Sequence, residues 1–202
     1  MYYVSSPYFN GKVRAFDTEA EAKAFIDRRS AKIAKSQNTT VHHIEMNMNI
    51  EWQDDLNIGS GNTYPSNALS NFAPHAFRLD GVKIASMEGF LQSLKTNNPV
   101  TQNYICSLVG LTAKRATASM NWQANQTLYW QGKAYARDSQ AYTSLIKRAY
   151  ESLFYNTKFR RALRATGYVQ LRHTMSSNNK QETILTEEEF ISNLTRLRER
   201  LH

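Results

Sequence analysis

Apolar positions in this chain recur mostly at helical spacing. Between Ser139 and Tyr155, Tyr142, Leu145, Ile146, Ala149, Leu153 and Phe154 form one apolar stripe, which predicts an amphipathic helix. Thr157–Ala165 reads as a shorter helix, with Gly167 as the glycine just past its end. Thr186 and Glu189 form a capping box, followed by Phe190, Leu194, Leu197 and Leu201 on one face of a last helix. A second capping box, Thr18 with Glu21, opens a helix through about Ser36, with Ala22, Phe25, Ile26 and Ile33 inward. Strand patterns are short: Tyr2–Val4, Val13–Phe16, the partly alternating β-branched run Thr40–Met48, and Val82–Ala85. Trp52 to Pro65 is polar, and its Gly59–Asn62 reads as a turn rather than a phosphate cradle. The expected class is mainly α (α+β). A small basic β-α-β appendage over 1–48, either a separate module or padding on the main domain, precedes a compact helical domain over 49–202.

From Ser86 a short helix combines an apolar face with a polar one. Ser86 is its expected N-cap. At about 100° per residue Glu88, Gln92 and Lys95 fall together, while Met87, Phe90, Leu91 and Leu94 gather on the opposite side. An acid, an amide and a base then border an apolar wall, an arrangement able to serve chemistry. A first-turn glutamate has a second role open to it, since a helix N-terminus favours negative charge by up to about 1 kcal/mol.

Composition narrows the setting. The 202 residues suit one sizeable domain with a small addition. The single cysteine, Cys106, excludes an internal disulfide and points to a reducing compartment, so the cytoplasm is expected. No apolar run reaches bilayer length and the first residues lack a signal-peptide core, so no membrane partner is expected. The net charge of +8 allows contact with phosphate, although Arg28-Arg29, Lys147-Arg148 and Lys158–Arg164 fit solvated helix faces equally well. His42 and His43 would point to opposite faces of a strand, and His75, His173 and His202 add no metal-ligand spacing. Glycine patterns for nucleotides and a nucleophile elbow are absent, and Cys106 sits in an apolar setting that fits an inert thiol. No metal and no cofactor are expected.

Ser70–Phe72 (SNF), Leu79–Gly81 (LDG) and Ser86–Lys95 (SMEGFLQSLK) are followed in order by Val109-Gly110, Ala113-Lys114, Trp122, Gln126–Tyr142, Ala165–Gly167, Leu171–Met175 and Thr183–Phe190. This succession, from about Ile50 onward, resembles the NADAR (YbiA-like) family. The resemblance implies an N-glycosidase acting on ADP-ribose-like or ribosylated-base compounds, either removing ADP-ribose from guanine in nucleic acid or cleaving ribosylated intermediates of riboflavin synthesis. The first activity would counter a modifying toxin or defence enzyme. A non-catalytic binder of ADP-ribose or nucleotide is the alternative from another class. Glu88 matches the family's catalytic glutamate, and Asn71 and Phe72 would hold and wall the ligand.

The remaining assignments follow from side-chain chemistry. Gln92 and Lys95 share the Glu88 face, and Lys95 either contacts a phosphate or holds Glu88 ionised. Lys114 and Arg137 are candidate phosphate ligands. Trp122 and Trp130 either stack on a base or fill the core, the core fitting Trp130 better. Where many YbiA-like chains carry an acid after the Ala-Thr-Gly motif, this one has His173, which either protonates a leaving base or serves as a structural hydrogen-bonder. That change weighs against the riboflavin-intermediate activity. The expected partner is an ADP-ribose-containing substrate, on nucleic acid, with Arg28, Arg29, Lys32 and Lys35 available to grip its backbone.

Overall fold

A computed structural model of the chain describes residues 2–9, 14–52 and 55–201. Its N-terminal part is a three-stranded antiparallel sheet, β1 (Tyr2–Ser5), β2 (Arg14–Phe16) and β3 (Asn49–Trp52), with β1 in the middle. Val13, expected at the start of β2, lies outside the described residues. Two helices intervene, α1 (Glu19–Gln37) and α2 (Val41–Glu45). The capping box at Thr18 and Glu21 is formed in both directions, and α1 ends at Asn38 in the left-handed region. Val4, Phe9, Ala22, Ile33, Ala34, Ile44 and Met48 make a hydrophobic cluster of their own. Tyr3, one residue before Val4, points the other way into the larger core, so the two faces of β1 serve two clusters.

The strand expected over Thr40–Met48 is not there. The Thr40 hydroxyl accepts from the His43 amide and starts α2 instead. Ile44 of α2 and Met48, beyond its end, are both buried. The strand comes later, as β3, and begins only at Asn49.

The main body opens with β4 (Asp55–Asn57), then α3 (Ser66–Leu69) and a hairpin of β5 (Phe77–Leu79) and β6 (Val82–Ile84). Next come α4 (Met87–Ser93), α5 (Pro99–Cys106) and α6 (Gly110–Ala116), then a second hairpin, β7 (Thr127–Trp130) with β8 (Lys133–Ala136). The chain closes with α7 (Gln140–Phe154), α8 (Thr157–Arg164), β9 (Gln170–Arg172) and α9 (Glu187–Arg198). With about 49% helix and 15% strand in small separate sheets, the class is mixed α+β. Phe90, Leu94, Tyr142, Tyr150, Phe159 and Phe190 fill the middle of the core. Among the described residues no helix is long and apolar enough to cross a membrane.

The strand pairings of the main body went unread in the sequence. In the second hairpin Gln131 and Gly132 both have positive φ, the geometry of a tight two-residue turn. Glutamine is an unusual choice there. It is held because its amide N–H donates to Gln102 Oε1 at 3.0 Å and its side chain donates to the Asp80 carbonyl at 2.9 Å. Strands β4 and β9 pair in parallel across more than a hundred residues, a long-range contact that no local pattern announces.

Candidate active site

The start of α4 is fixed from three directions. The Ser86 hydroxyl accepts from the Gly89 amide at 3.0 Å and donates to the Leu108 carbonyl at 3.0 Å. A Cβ on Gly89 would stand 2.6 Å from that same carbonyl oxygen, so only glycine lets α4 approach the α5–α6 junction this closely. The Glu88 amide donates to the Asn71 carbonyl at 2.9 Å, which ties the Ser70–Phe72 loop to the first turn. Gly110, at φ +53°, closes against Phe72 from the other side, leaving only 3.3 Å between an added Cβ and the Phe72 carbonyl.

Glu88 is 7% exposed. Its Oε1 accepts from the Gln92 side-chain amide at 2.9 Å, and Gln92 Oε1 in turn accepts from the buried Thr117 hydroxyl. That relay sets the amide of Gln92 and the rotamer of the carboxylate. Burial pushes the Glu88 carboxyl above the ordinary glutamate range, against the opposing pulls of Gln92, Lys114 and Lys95. Lys95 is half-buried, and its ammonium is lowered first by burial and further by Lys114, against the pull of Glu88. Asn71 is held by a buried partner: Tyr150 Oη donates to Asn71 Oδ1 at 2.7 Å, which leaves the Asn71 NH₂ as the group available to a ligand.

His173 follows β9 directly. Because β4 and β9 pair as Asn57↔Arg172, the next residues meet, and the Ile58 amide donates to the Arg172 carbonyl at 2.7 Å. His173 Nδ1 lies 2.6 Å from the Ile58 carbonyl; a carbonyl only accepts, so Nδ1 carries the proton and Nε2 is the nitrogen left for chemistry. The ring stacks edge-on against Phe190 at 4.9 Å.

Glu88, Gln92, Lys95, Asn71, Phe72 and His173 all line one cleft of about 500 Å³, together with Lys114 and Trp122. Leu111 and Met175, the latter 83% exposed, stand on its lining as apolar surface. The family model of bacteriophage protein GP30.3 matches residues 63–199. The chain belongs to the GP30.3 family. That family is NADAR-related, in line with the motifs around Glu88. One similar protein is an uncharacterised 17.1 kDa protein of the Gp30–rIII intergenic region of Enterobacteria phage T4, 42% identical over 150 residues, covering 73% of this chain and 99% of that one. The solution structure of the Escherichia coli protein YbiA aligns at 17% identity and a TM-score of 0.49, over 75% of this chain and 87% of that chain.

In this GP30.3 family chain, most residues singled out from sequence meet in the cleft, and two do not. Arg137 is not among the lining residues: it is 1% exposed and its guanidinium forks onto the Glu189 carboxylate, Nη1 to Oε1 at 3.0 Å and Nη2 to Oε2 at 2.6 Å. A phosphate would have to displace a bidentate ion pair. Trp130 is buried edge-on to Phe90, with its indole N–H donating to Asp80 at 2.8 Å, so its place is in the core. Trp122 combines both readings, 3% exposed yet lining the cleft. Gln92 lines the cleft but spends its amide on Glu88 and Thr117, which makes it a positioning residue. Residues the sequence did not single out include Thr117, Tyr150, the wall Thr183–Leu185, and Gly59 and Ser60, which line the cleft just beyond β4. Among the described residues no group of three or more His, Cys, Asp or Glu side chains is placed to hold a metal.

Proposed function

We propose that the protein is an N-glycosidase that hydrolyses the bond between ADP-ribose and a guanine base in nucleic acid, acting in the cytoplasm. The carrying observation is the buried Glu88 carboxylate, held by Gln92 on the lining of a cleft and flanked by the cations Lys95 and Lys114. Cleavage of an N-glycosidic bond passes through an oxocarbenium-like sugar. The C1′–N bond breaks with its electron pair leaving on the base nitrogen, and protonated His173 gives that nitrogen a proton from Nε2. Water then bonds to C1′, and its proton passes to the Glu88 carboxylate. A carboxylate whose pKa is raised by burial is the better proton acceptor near neutral pH. Lys95 and Lys114 suit the diphosphate, and the Asn71 NH₂ suits a ribose hydroxyl. The exposed Arg28, Arg29, Lys32 and Lys35 of α1 support contact with a nucleic-acid backbone, a contact that weakens steeply with salt.

The test is release of ADP-ribose from a guanine-ADP-ribosylated oligonucleotide, followed by mass spectrometry for wild type and Glu88→Gln. Wild type is expected to release ADP-ribose, and the variant to bind the oligonucleotide while losing roughly 10²–10⁴-fold in turnover. Equal release by both removes Glu88 from the chemistry. Binding without release by either makes the protein a binder.

A further inference from the structure

Beside the cleft lies a second depression of about 290 Å³. The two share Lys95 and Trp122, so these side chains form a partition between neighbouring spaces rather than an outer wall. The second space has a different chemistry from the first. Among its described lining residues there is no aspartate or glutamate; beyond Lys95 and the thioether of Met120 the lining is amide, hydroxyl and aromatic, including Asn97, Asn121, Asn125 and Tyr129. Asn121 Oδ1 accepts from the Ala124 amide at 3.3 Å, and Asn125 Oδ1 accepts from the Thr127 amide at 3.1 Å. Both carbonyl oxygens are thereby engaged locally, and both NH₂ groups remain as donors.

The position of this space is set by α4. Its end is tied to β7 where the Tyr129 amide donates to the Leu94 carbonyl at 2.7 Å. Glu88 lies in the first turn of α4 and Lys95 just past its end. A ligand with its reacting bond at Glu88 and another group in the second space must pass the Lys95–Trp122 partition that both spaces share. A ribose joined through two phosphates to a nucleoside can do so, with its phosphates beside Lys95 and Lys114.

We infer that the depression bordered by Asn121, Asn125 and Tyr129 is a subsite for a nucleoside 5′-phosphate, with the phosphate at Lys95 and the base against Tyr129 and the asparagine amides. The inference rests on the function proposed above and names where the far half of its substrate lies. A nucleoside phosphate reaches this subsite from one of two sources: the distal half of the ADP-ribose, or the next nucleotide of the strand.

The experiment measures dissociation constants of the full chain by calorimetry for ADP-ribose, AMP, ribose 5-phosphate and an unmodified trinucleotide. It compares wild type with Tyr129→Ala and with Asn97→Glu, a surface change that places a negative charge beside the phosphate. AMP is expected to bind wild type, and Tyr129→Ala to weaken ADP-ribose by roughly 5- to 100-fold, the scale of one lost base–aromatic stack, with ribose 5-phosphate unchanged. Asn97→Glu is expected to weaken both AMP and ADP-ribose. If the trinucleotide weakens in place of ADP-ribose, the strand supplies the occupant of the same subsite. Unchanged binding of AMP, ADP-ribose and trinucleotide in both variants overturns the subsite and leaves the Glu88 chemistry standing. Failure of wild type to bind ADP-ribose or ribose 5-phosphate at all overturns the proposed function, and this inference with it.

Discussion

Of the glutamates in helix first turns of this protein, the structure drives two in opposite directions. Glu88 opens α4 and Glu189 opens α9, so each sits where a helix N-terminus favours an anion. Burial works against the charge of both. Around Glu189 that penalty is outweighed by the Arg137 fork and by the Thr186 amide, and its carboxyl is held below the ordinary range. Around Glu88 the partners are a neutral amide and two lysines without a direct ion pair, and the carboxyl stays above it. Position on a helix is therefore a poor guide to what a glutamate does. What separates the two is whether an arginine closes on the carboxylate. Glu189 is committed to architecture: Arg137 Nε also donates to the Thr183 carbonyl at 2.8 Å, and Tyr142 Oη donates to the Ile184 carbonyl at 2.7 Å. That network holds up one wall of the cleft that Glu88 faces.

Removing each charge should separate the two roles. Glu88→Gln is expected to lower turnover by roughly 10²–10⁴-fold in the release assay while leaving the melting temperature at pH 7 equal or higher, because a costly buried charge is gone. Arg137→Ala does the reverse. It strands the Glu189 carboxylate and should cost about 3 kcal/mol, the low end for a broken buried pair since Glu189 keeps some solvent contact, read as a melting temperature lower by roughly 6–12 °C. If Arg137→Ala instead melts as wild type does but loses ligand affinity, Arg137 is a ligand residue after all, and the contrast collapses.

This contrast also marks how far the sequence could be read. Both capping boxes, the stripe of α7 and the polar face of α4 come from spacings of three and four residues, which a chain displays openly. So Ser86, Glu88, Gln92 and Lys95 fell into place on local periodicity, and Asn71 and Phe72 through the family motif. What stayed hidden depends on contacts across the chain. The β4–β9 pairing that seats His173 against Ile58 joins segments more than a hundred residues apart. The Tyr150 hydroxyl on Asn71 belongs to a residue that the apolar stripe read for its helix did not include. Arg137 was misplaced for the same reason: an arginine in a polar motif looks free until its partner, 52 residues on, is known. Thr40 failed differently, because a β-branched cap looks like the start of a strand.

A milder change tests whether the fixed asparagine matters. Tyr150→Phe keeps the buried ring and removes the donor to Asn71 Oδ1, at a cost of about 0.5–1.5 kcal/mol for one net hydrogen bond. Because Tyr150 touches Asn71 rather than reacting atoms, KM is expected to rise roughly 2- to 10-fold with kcat nearly constant. A fall in kcat at unchanged KM would assign Tyr150 a role in the bond-breaking step.

The smallest effect is the most direct reading of the contrast, because it follows both glutamates in one variable. For Glu88 the folded pKa lies above the unfolded one, so ionisation costs stability. That cost is absent well below pH 4.5, grows as pH rises above it, and levels off once the folded carboxyl has also ionised. For Glu189 the folded pKa lies below, so its ionisation stabilises; the gain is full above pH 4.5 and is lost as pH falls through the folded value. Subtracting wild type from Glu88→Gln should give a melting-temperature difference near zero in acid that turns positive with rising pH. Subtracting it from Glu189→Gln should give a negative difference at neutral pH that shrinks towards zero as pH drops below 4.5. His75, whose imidazole pKa is lowered by burial, titrates alike in all three proteins and drops out of both subtractions. Two curves of the same sign would mean that the lysines around Glu88 do for it what Arg137 does for Glu189, leaving Glu88 a structural anion with no reason to accept a proton from water.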